Sequence, residues 1–158
     1  MRLIVIRHAE AVDRDAWTGN DEDRPLTKAG GQIAKSTFKA ARRLGHKGTE
    51  IWTSPWLRAR ATAELLSAIW ELPLREVPWL TSGAMSAKDR AERLHASPVP
   101  VLVGHEPDLG ELIGYLVGAK SLPLAKGGMA ILAGDPGPAG MNLRCLISPK
   151  TVASLSER

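Results

Sequence analysis

The chain has 158 residues, which is the length of one ordinary domain. Hydrophobic residues make up 44% and charged residues 24% of it, a globular composition that excludes a fibrous or disordered protein. The net charge is only +4, so we expect no basic surface for nucleic acid. The sequence predicts a single domain over residues 1–158.

The single cysteine, Cys145, indicates the compartment of the protein. One thiol cannot form an internal disulfide, so we expect a reducing cytoplasm. Alternation over Met141–Ile147 places Leu143, Cys145 and Ile147 on one strand face, which predicts a buried, inert thiol. The apolar run Leu3–Ile6 is too short for a secretory signal, and no run approaches the roughly 20 apolar residues of a membrane span. We therefore expect a cytoplasmic protein that does not bind membranes.

The first half of the chain alternates predicted strands with predicted helices. Arg2–Arg7 carries an apolar run that is typical of a strand buried on both faces. Thr27 is the predicted N-cap of a helix that ends at Gly45. The apolar residues of this helix recur at helical spacing: Ala29, Ile33, Ala34, Ala41 and Leu44. Glu50–Thr53 predicts a short strand, and the Ser54-Pro55 pair predicts the N-cap and first residue of a second helix.

The second half continues the alternation and closes on a hairpin. The predicted strands are Leu74–Leu80, which is the weakest, Val99–Val103, Met129–Ala133 and Leu143–Ile147. The predicted helices run from a capping-box pattern at 86–89 to His95, and from Pro107 to Val117, where Gly118 ends the helix.

Strands that alternate with helices predict an α/β fold with a mostly parallel sheet, to which the hairpin adds an antiparallel edge. Ligands of such sheets bind beyond the carboxyl ends of the strands. The residues that follow three predicted strands are therefore candidates for function: Arg7-His8, 53–55 with Arg58 behind, and Gly104-His105.

The motifs of several common enzyme classes are missing. No Gly-x-Gly-x-x-Gly is present, and residues 30–36 lack the glycine before Lys35 that a phosphate loop requires. The four histidines have no metal-ligand spacing. Ser54 lacks the Gly-x-Ser-x-Gly elbow of a serine hydrolase. We therefore expect neither a cofactor nor a metal site.

Two histidines and two arginines remain at the predicted strand ends and helix start. A neutral imidazole offers one nitrogen as a nucleophile near neutral pH. A guanidinium holds two phosphoryl oxygens in fork geometry, and Arg58, in the first turn of a helix, adds its charge to the positive helix end. Each residue alone has a structural explanation, as a polar strand end, a solvated helix residue or a turn. Their joint placement is consistent with metal-independent phosphoryl transfer through a phosphohistidine.

Four ordered motifs resemble those of the histidine phosphatase superfamily. They are Arg7-His-Ala-Glu10, Arg24-Pro-Leu-Thr-Lys-Ala-Gly30, Thr53–Ala63 and Val103-Gly-His-Glu-Pro-Asp-Leu109. The short chain is similar to SixA-type phosphohistidine phosphatases from residue 2 to about residue 148. The resemblance implies a phosphoglycerate mutase-like fold, which is a three-layer α/β/α sandwich.

The same resemblance implies roles for the candidate residues. It makes His8 the phosphorylated nucleophile and implies that Arg7, Arg58 and His105 form the phosphate pocket. We also expect Glu10, two residues after the nucleophile, to bind substrate together with Arg7, Arg58 and His105.

Two positions depart from the commonest family pattern. Ala9 stands where glycine usually follows the nucleophile, which we interpret as a feature of one branch. Leu80 is followed by Thr81 and Ser82, where many phosphomonoesterases of the family carry a glutamate general acid. Imidazole, whose conjugate acid has a pKa near ~6.5, leaves more readily than an alkoxide, so the missing acid favours P–N substrates. Four other carboxylates are candidates for that proton: Glu10, Asp13, Glu76 and Glu106.

The five tryptophans are many for a chain with one Tyr and one Phe. Trp52 and Trp70 suit core positions. Trp17, Trp56 and Trp79 fall in segments expected to rim the pocket, with packing favoured over contact with a protein substrate.

The sequence thus predicts a metal-independent phosphatase that removes phosphate from a histidine of a signalling or phosphotransfer protein, through His8. Few insertions leave an open pocket, which suits a protruding side chain better than an enclosed metabolite. Three alternatives stay open: a small-molecule phosphomonoesterase of the same fold, a non-catalytic module that binds phosphoproteins, and a domain whose His and Arg are structural. A mutase is disfavoured because no lid is evident.

Overall fold

The computed structural model describes residues 1–156, which form a six-stranded sheet with helices on both faces. The strands are β1 (Arg2–Arg7), β2 (Glu50–Thr53), β3 (Leu74–Glu76), β4 (Pro100–Gly104), β5 (Met129–Gly134) and β6 (Met141–Ile147). They lie in the order β3-β2-β4-β1-β5-β6. The four strands from β3 to β1 are parallel, and β5 pairs antiparallel with β1 and β6. The predicted mostly parallel sheet with an antiparallel edge is confirmed.

The helices form the two outer layers. One face carries α1 (Lys28–Arg43), α2 (Leu57–Trp70) and α5 (Pro149–Ser156), and the other carries α3 (Ala87–Glu92) and α4 (Asp108–Val117). Short 3-10 helices lie in the connections: Arg14–Ala16, Asp21–Asp23, Pro78–Leu80 and Arg93–Ala96. Within residues 1–156, none of the helices is both long and apolar enough to cross a membrane. The layers are those of the predicted α/β/α sandwich.

β1 is buried on both faces, as its apolar run predicts. Ile4 and Ile6 pack in the layer of α1 and α2, where Phe38 is fully buried. Leu3 and Val5 pack in the opposite layer, against α4. Each of these side chains contributes about 1.5–3 kcal/mol of burial free energy, so the strand is held firmly at the centre of the sheet. The residues that follow β1 therefore start from a fixed position.

Three helix-end signals act as predicted. Thr27 Oγ1 accepts the N–H of Gly30 at 2.9 Å, which caps α1. Ser86 Oγ accepts the N–H of Asp89 at 3.1 Å, which caps α3. Gly118 ends α4 with a φ of +79°, a conformation that favours glycine.

The buried stripe of α1 differs from the predicted one. Ile33 and Leu44 were expected to face the core, and they are 51% and 67% exposed. The buried stripe instead runs through Ala34, Phe38 and Ala41, because Phe38 fills the space over the sheet.

Several predicted element boundaries are wrong. The helix expected to reach His95 ends at Glu92 and is followed by the 3-10 helix Arg93–Ala96. The strand expected over Leu74–Leu80 ends at Glu76 and is followed by the 3-10 helix Pro78–Leu80, because Pro78 has no amide hydrogen to continue a ladder. The second helix begins at Leu57, not at the Ser54-Pro55 pair, and its N-cap Trp56 has no side-chain cap.

The prediction for the cysteine strand is also partly wrong. A register shift in the β5–β6 pairing falls between Ile131 and Leu132, so Ile131 pairs with Cys145 while Leu132 pairs with Leu143. This bulge separates Leu143 from the face that Cys145 and Ile147 share, because one extra residue reverses the alternation. Leu143 is 38% exposed, and the Cys145 thiol is half-buried, not buried.

The parallel register brings three strand ends to one edge of the sheet. Arg7 of β1 pairs with Gly104 of β4, and Val103 pairs with Thr53 of β2. Because the three strands are adjacent and parallel, the residues that follow them are neighbours. These residues are His8, Ser54 and His105.

Candidate active site

A cavity of about 590 Å³ opens at this edge, and we call it the strand-end cavity. All five site residues predicted from the sequence line it: Arg7, His8, Glu10, Arg58 and His105. The other lining residues are Ala11, Asp13, Arg14, Asp21, Arg24, Thr27, Trp56, Ser82, Glu106 and Lys126. Five of the fifteen are cations and four are carboxylates, so the lining has a small excess of positive charge, which favours an anion.

His8 is fixed in a single orientation. Its backbone N–H donates to the carbonyl oxygen of Gly104 at 3.0 Å, which ties the end of β1 to β4. Its Nδ1 lies 2.7 Å from the carbonyl oxygen of Ala9. A carbonyl oxygen only accepts, so Nδ1 carries the proton and Nε2 carries the lone pair. The Ala9 N–H in turn donates to Thr62 Oγ1 at 3.0 Å. Ala9 has no positive φ and its methyl group packs in the core, so this position does not require glycine.

The His8 imidazole is neutral at physiological pH. Burial lowers its pKa to about 4, and the charges of Arg58 and Arg7 act in the same direction, against the hydrogen bond to Ala9. The side chain is only 6% exposed. A neutral imidazole with its lone pair on Nε2 is a nucleophile.

Arg58 contacts that lone pair directly. Its Nε donates to His8 Nε2 at 3.3 Å, and the side chain is buried in the first turn of α2. Nη1 donates to the carbonyl oxygen of Asp21 at 2.7 Å, and Nη2 donates to the Asp21 carboxylate at 3.2 Å. Burial lowers the pKa of Arg58 and the Asp21 carboxylate opposes this effect, so the guanidinium stays charged. Its Cζ also lies 4.8 Å from the centroid of the Trp56 ring.

Asp21, which lines the cavity, forms ion pairs with three arginines. Its carboxylate lies 3.0 Å from Arg24 Nε and 3.5 Å from Arg14 Nε, in addition to Arg58. Burial tends to raise the pKa of Asp21, but the hydrogen bond from Arg24 and the charge of Arg58 lower it overall. The sequence prediction missed Asp21, since it lies in a short 3-10 helix of the polar connection between β1 and α1. The only local signal is the acidic run at 21–23 between two arginines.

Arg7 approaches the cavity from the end of β1. Its Nη1 donates to the carbonyl oxygen of Leu124 at 2.9 Å, and its backbone N–H donates to Gly128 at 3.1 Å. Its buried Nε has no hydrogen-bond partner among residues 1–156. Buried N–H donors are normally paired, so this atom is available to an anion.

His105 faces His8 across the cavity floor, with the two ring centroids 5.3 Å apart. Its Nε2 lies 2.9 Å from Ser54 Oγ, while its buried Nδ1 has no hydrogen-bond partner in the described part of the chain. Burial lowers the pKa of His105 to about 3, and His8 and Arg58 add to this effect. His105 is therefore neutral and has one nitrogen free for a ligand.

The carboxylates named as candidate acids divide into two groups. Glu10, Asp13 and Glu106 line the cavity, whereas Glu76 lies outside it, with its Oε1 3.5 Å from Arg60 Nη1. Ser82 lines the cavity in the loop that follows the 3-10 helix Pro78–Leu80, where the family resemblance implied a glutamate. Within residues 1–156, no group of three or more His, Cys, Asp or Glu side chains is arranged to hold a metal ion.

The tryptophans largely follow the prediction, which favoured packing, although Trp17 and Trp79 do not line the cavity. Trp52 and Trp70 are each 1% exposed, and Trp56 lines the cavity. Trp79 instead packs edge-on against Trp52 with ring centroids 5.9 Å apart, and Trp17 donates to the carbonyl oxygen of Asn20 within its own loop.

Comparisons with known proteins agree with this geometry. A family model described as histidine phosphatase superfamily (branch 1) matches residues 3–99, a span that includes Arg7, His8 and Arg58. An uncharacterized protein of a Picosynechococcus species is 42% identical over 118 residues, which is 70% of each chain.

Two solved structures show the same fold. The protein histidine phosphatase SixA, complexed with tungstate, superposes with a TM-score of 0.85 at 21% identity, covering 96% of this chain and 99% of that one. A phosphoserine phosphatase from Entamoeba histolytica, with bound phosphoserine, gives 0.70 at 18% identity, covering 94% and 98%. These likenesses confirm the phosphoglycerate mutase-like sandwich expected from the motifs.

Proposed function

Because this chain belongs to the histidine phosphatase superfamily, we propose that it is a phosphatase that forms a phosphohistidine on His8 and takes its phosphate from a histidine of a partner protein. The observation that carries the proposal is the state of one side chain. His8 is buried and neutral, with its Nε2 lone pair 3.3 Å from the charged Nε of Arg58. The nucleophile His8 and the phosphate-binding residue Arg58 thus lie side by side.

The first step transfers the phosphoryl group to His8. The Nε2 lone pair forms a bond to phosphorus, while the bond to the substrate nitrogen breaks and leaves its electron pair on that nitrogen. Arg7 and Arg58 balance the charge of the phosphoryl oxygens, and His105 donates a hydrogen bond to them. The other ring nitrogen of the substrate histidine carries a proton, so the group that leaves is neutral imidazole. It needs no strong acid, because its conjugate acid has a pKa near ~6.5.

The second step regenerates the enzyme. Water attacks phosphorus, the bond to His8 Nε2 breaks, and both protons of the water leave on dihydrogen phosphate. His8 keeps its Nδ1 proton throughout, because the Ala9 carbonyl oxygen accepts it at 2.7 Å. The five cationic side chains of the cavity supply the positive charge that both steps need, so we propose that no metal takes part.

Two observations support a phosphorylated histidine as the substrate. Ser82, not an acid, lines the cavity where ester-cleaving relatives are expected to carry glutamate. The similar SixA is described as a protein histidine phosphatase. A cytoplasmic location is part of the proposal, and the free thiol of Cys145 supports it.

A small-molecule phosphomonoesterase is the second candidate. The similar Entamoeba histolytica protein acts on phosphoserine, and three carboxylates besides Asp21, which is paired with arginines, line the cavity here. If one of them donates a proton to an alkoxide, ester substrates become accessible. Those carboxylates are Glu10, Asp13 and Glu106.

One experiment separates the two candidates. The protein is incubated with a phosphohistidine-carrying transfer protein and, separately, with p-nitrophenyl phosphate, each with and without EDTA. We expect release of phosphate from the protein substrate that EDTA does not change and that His8→Asn abolishes. His95→Asn is the matched control, because His95 is exposed in the 3-10 helix Arg93–Ala96.

Each contrary result contradicts one part of the proposal. Loss of activity with EDTA contradicts the metal-free steps. Fast ester cleavage without activity on the phosphohistidine protein favours the phosphomonoesterase. Full activity in His8→Asn contradicts a covalent intermediate on His8.

A further inference from the structure

Glu106 follows His105 and lines the strand-end cavity, but its carboxylate is engaged on both sides. Oε1 accepts the backbone N–H of Leu124 at 2.9 Å, and Oε2 accepts the backbone N–H of Gly110 at 3.0 Å. Two backbone donors on a half-buried carboxylate make a fixed bridge between α4 and the segment that carries Leu124.

The bridged peptide also holds Arg7. The carbonyl oxygen of Leu124 accepts Arg7 Nη1 at 2.9 Å. The segment then continues to Gly127, whose N–H donates to the carbonyl oxygen of His8 at 3.0 Å, and to Gly128, whose carbonyl oxygen accepts the Arg7 N–H. The chain of contacts from Glu106 through Leu124 to Arg7 therefore contains only hydrogen bonds of ordinary length.

The close packing around Glu106 supports a positioning role. A Cβ on Gly110 would lie 2.7 Å from Glu106 Oε2 and 3.0 Å from the Cα of Pro123. The backbone of α4 thus approaches both the carboxylate and the segment more closely than any other residue type allows.

We propose that Glu106 is a positioning residue that fixes the Arg7 guanidinium through the Leu124 peptide, and so sets the affinity of the cavity for a phosphoryl oxyanion. This inference rests on the proposed function, in which Arg7 binds the phosphoryl oxygens. It differs from the role of general acid considered above. A general acid must release a proton to the leaving group, whereas both Glu106 oxygens face backbone donors.

The test measures oxyanion binding, because loss of the negative charge of Glu106 alone would strengthen the binding of an anion, whereas loss of its hold on Arg7 weakens it. The dissociation constant of tungstate is determined by calorimetry for the wild type, Glu106→Ala, Glu106→Gln, Arg7→Ala and the double variant of Glu106→Ala with Arg7→Ala. We expect Glu106→Ala to weaken binding about tenfold and Glu106→Gln less, because the amide oxygen still accepts the Leu124 N–H. In the Arg7→Ala background, Glu106→Ala should have no further effect, because the coupled pair is already broken. Glu111→Ala, an exposed glutamate on α4, is the matched control.

The outcomes are distinguishable from a failure of the proposed function. If the wild type binds tungstate and Glu106→Ala binds it equally well, the inference is overturned. Additive effects of the two substitutions overturn it as well, since they indicate independent roles. If Glu106→Ala does not fold, the same cycle with Glu106→Gln decides between coupling and independence. A wild type that does not bind tungstate contradicts the proposed function itself.

Discussion

Asp21 holds Arg58 at two points, through its carbonyl oxygen at 2.7 Å from Nη1 and its carboxylate at 3.2 Å from Nη2. These contacts occupy the outer end of the guanidinium and leave Nε directed at His8 Nε2. A residue from the loop after β1 thus orients a residue from the first turn of α2. A guanidinium that is already held in place loses less entropy when its Nε binds an oxyanion.

Removal of this carboxylate should therefore weaken both catalysis and stability. We expect Asp21→Ala to lower kcat/KM about tenfold and the free energy of unfolding by about 1–3 kcal/mol, because buried Arg58 loses its counter-charge. Steady-state kinetics and urea denaturation measure the two effects. Asp23→Ala is the control, since Asp23 is an exposed acid of the same 3-10 helix. Equal kinetics in the wild type and Asp21→Ala would contradict an orienting role.

A second prediction concerns Ser54 and the tautomer of His105. Ser54 Oγ accepts the N–H of Trp56 at 3.2 Å, so its own hydrogen is free for His105 Nε2 at 2.9 Å. That arrangement puts the proton of neutral His105 on Nδ1, where it can serve a phosphoryl oxygen. We expect Ser54→Ala to lower kcat/KM about tenfold and to give ¹⁵N NMR signals of the tautomer with Nε2 protonated.

The control for this prediction is Thr37→Val, which removes a buried hydroxyl from α1. A Ser54→Ala protein whose His105 ¹⁵N signals match the wild type contradicts the assignment, even if its activity falls.

The fold was largely predictable, because its strongest signals are local. The apolar run of β1 and the caps at Thr27 and Ser86 mark elements without reference to the rest of the chain. The failures arise where tertiary contacts override local preference. Ser54 does not cap α2, because its hydroxyl bonds to His105 and to the Trp56 N–H, and the helix begins later. The bulge that turns Leu143 away has no signal in the alternating pattern.

The residues of the site likewise include some that the sequence predicts and some that only tertiary contacts bring there. Arg7, His8 and His105 were predictable, because adjacent parallel strands must end at one edge of a sheet. Asp21 was not, because no periodicity places a loop residue against a helix 37 positions away. The bridge from Glu106 to Leu124 spans 18 positions and depends on backbone donors, which the sequence does not display.

A third prediction tests whether the missing acid limits the substrates. Ser82 lines the cavity, so Ser82→Glu places a carboxyl group near the leaving atom. We expect kcat/KM for an alkyl phosphate to rise about tenfold, below the full effect of a well-placed general acid, while p-nitrophenyl phosphate changes little. Ala84→Glu is the control, since Ala84 is exposed in the same loop. A similar gain on both esters contradicts an effect through the leaving group.

The last prediction concerns the two neutral histidines and stability in acid. Burial lowers the pKa of His8 to about 4 and that of His105 to about 3, from 6.5 in the unfolded chain. Between each lowered pKa and 6.5, the unfolded chain binds more protons than the folded protein. The contribution of the two histidines to stability is therefore fully present above pH 6.5 and decreases as the pH falls. Each histidine contributes a slope of up to about 1.4 kcal/mol per pH unit in that window.

Urea denaturation at pH 7 and pH 5 measures this slope. We expect the wild type to lose more unfolding free energy than the double variant His8→Asn with His105→Asn, because the variant has no buried imidazole to protonate. His95→Asn should lose as much as the wild type, since His95 is exposed. An equal loss in the wild type and the double variant would mean that other groups, such as His46 with its lowered pKa, account for the acid sensitivity.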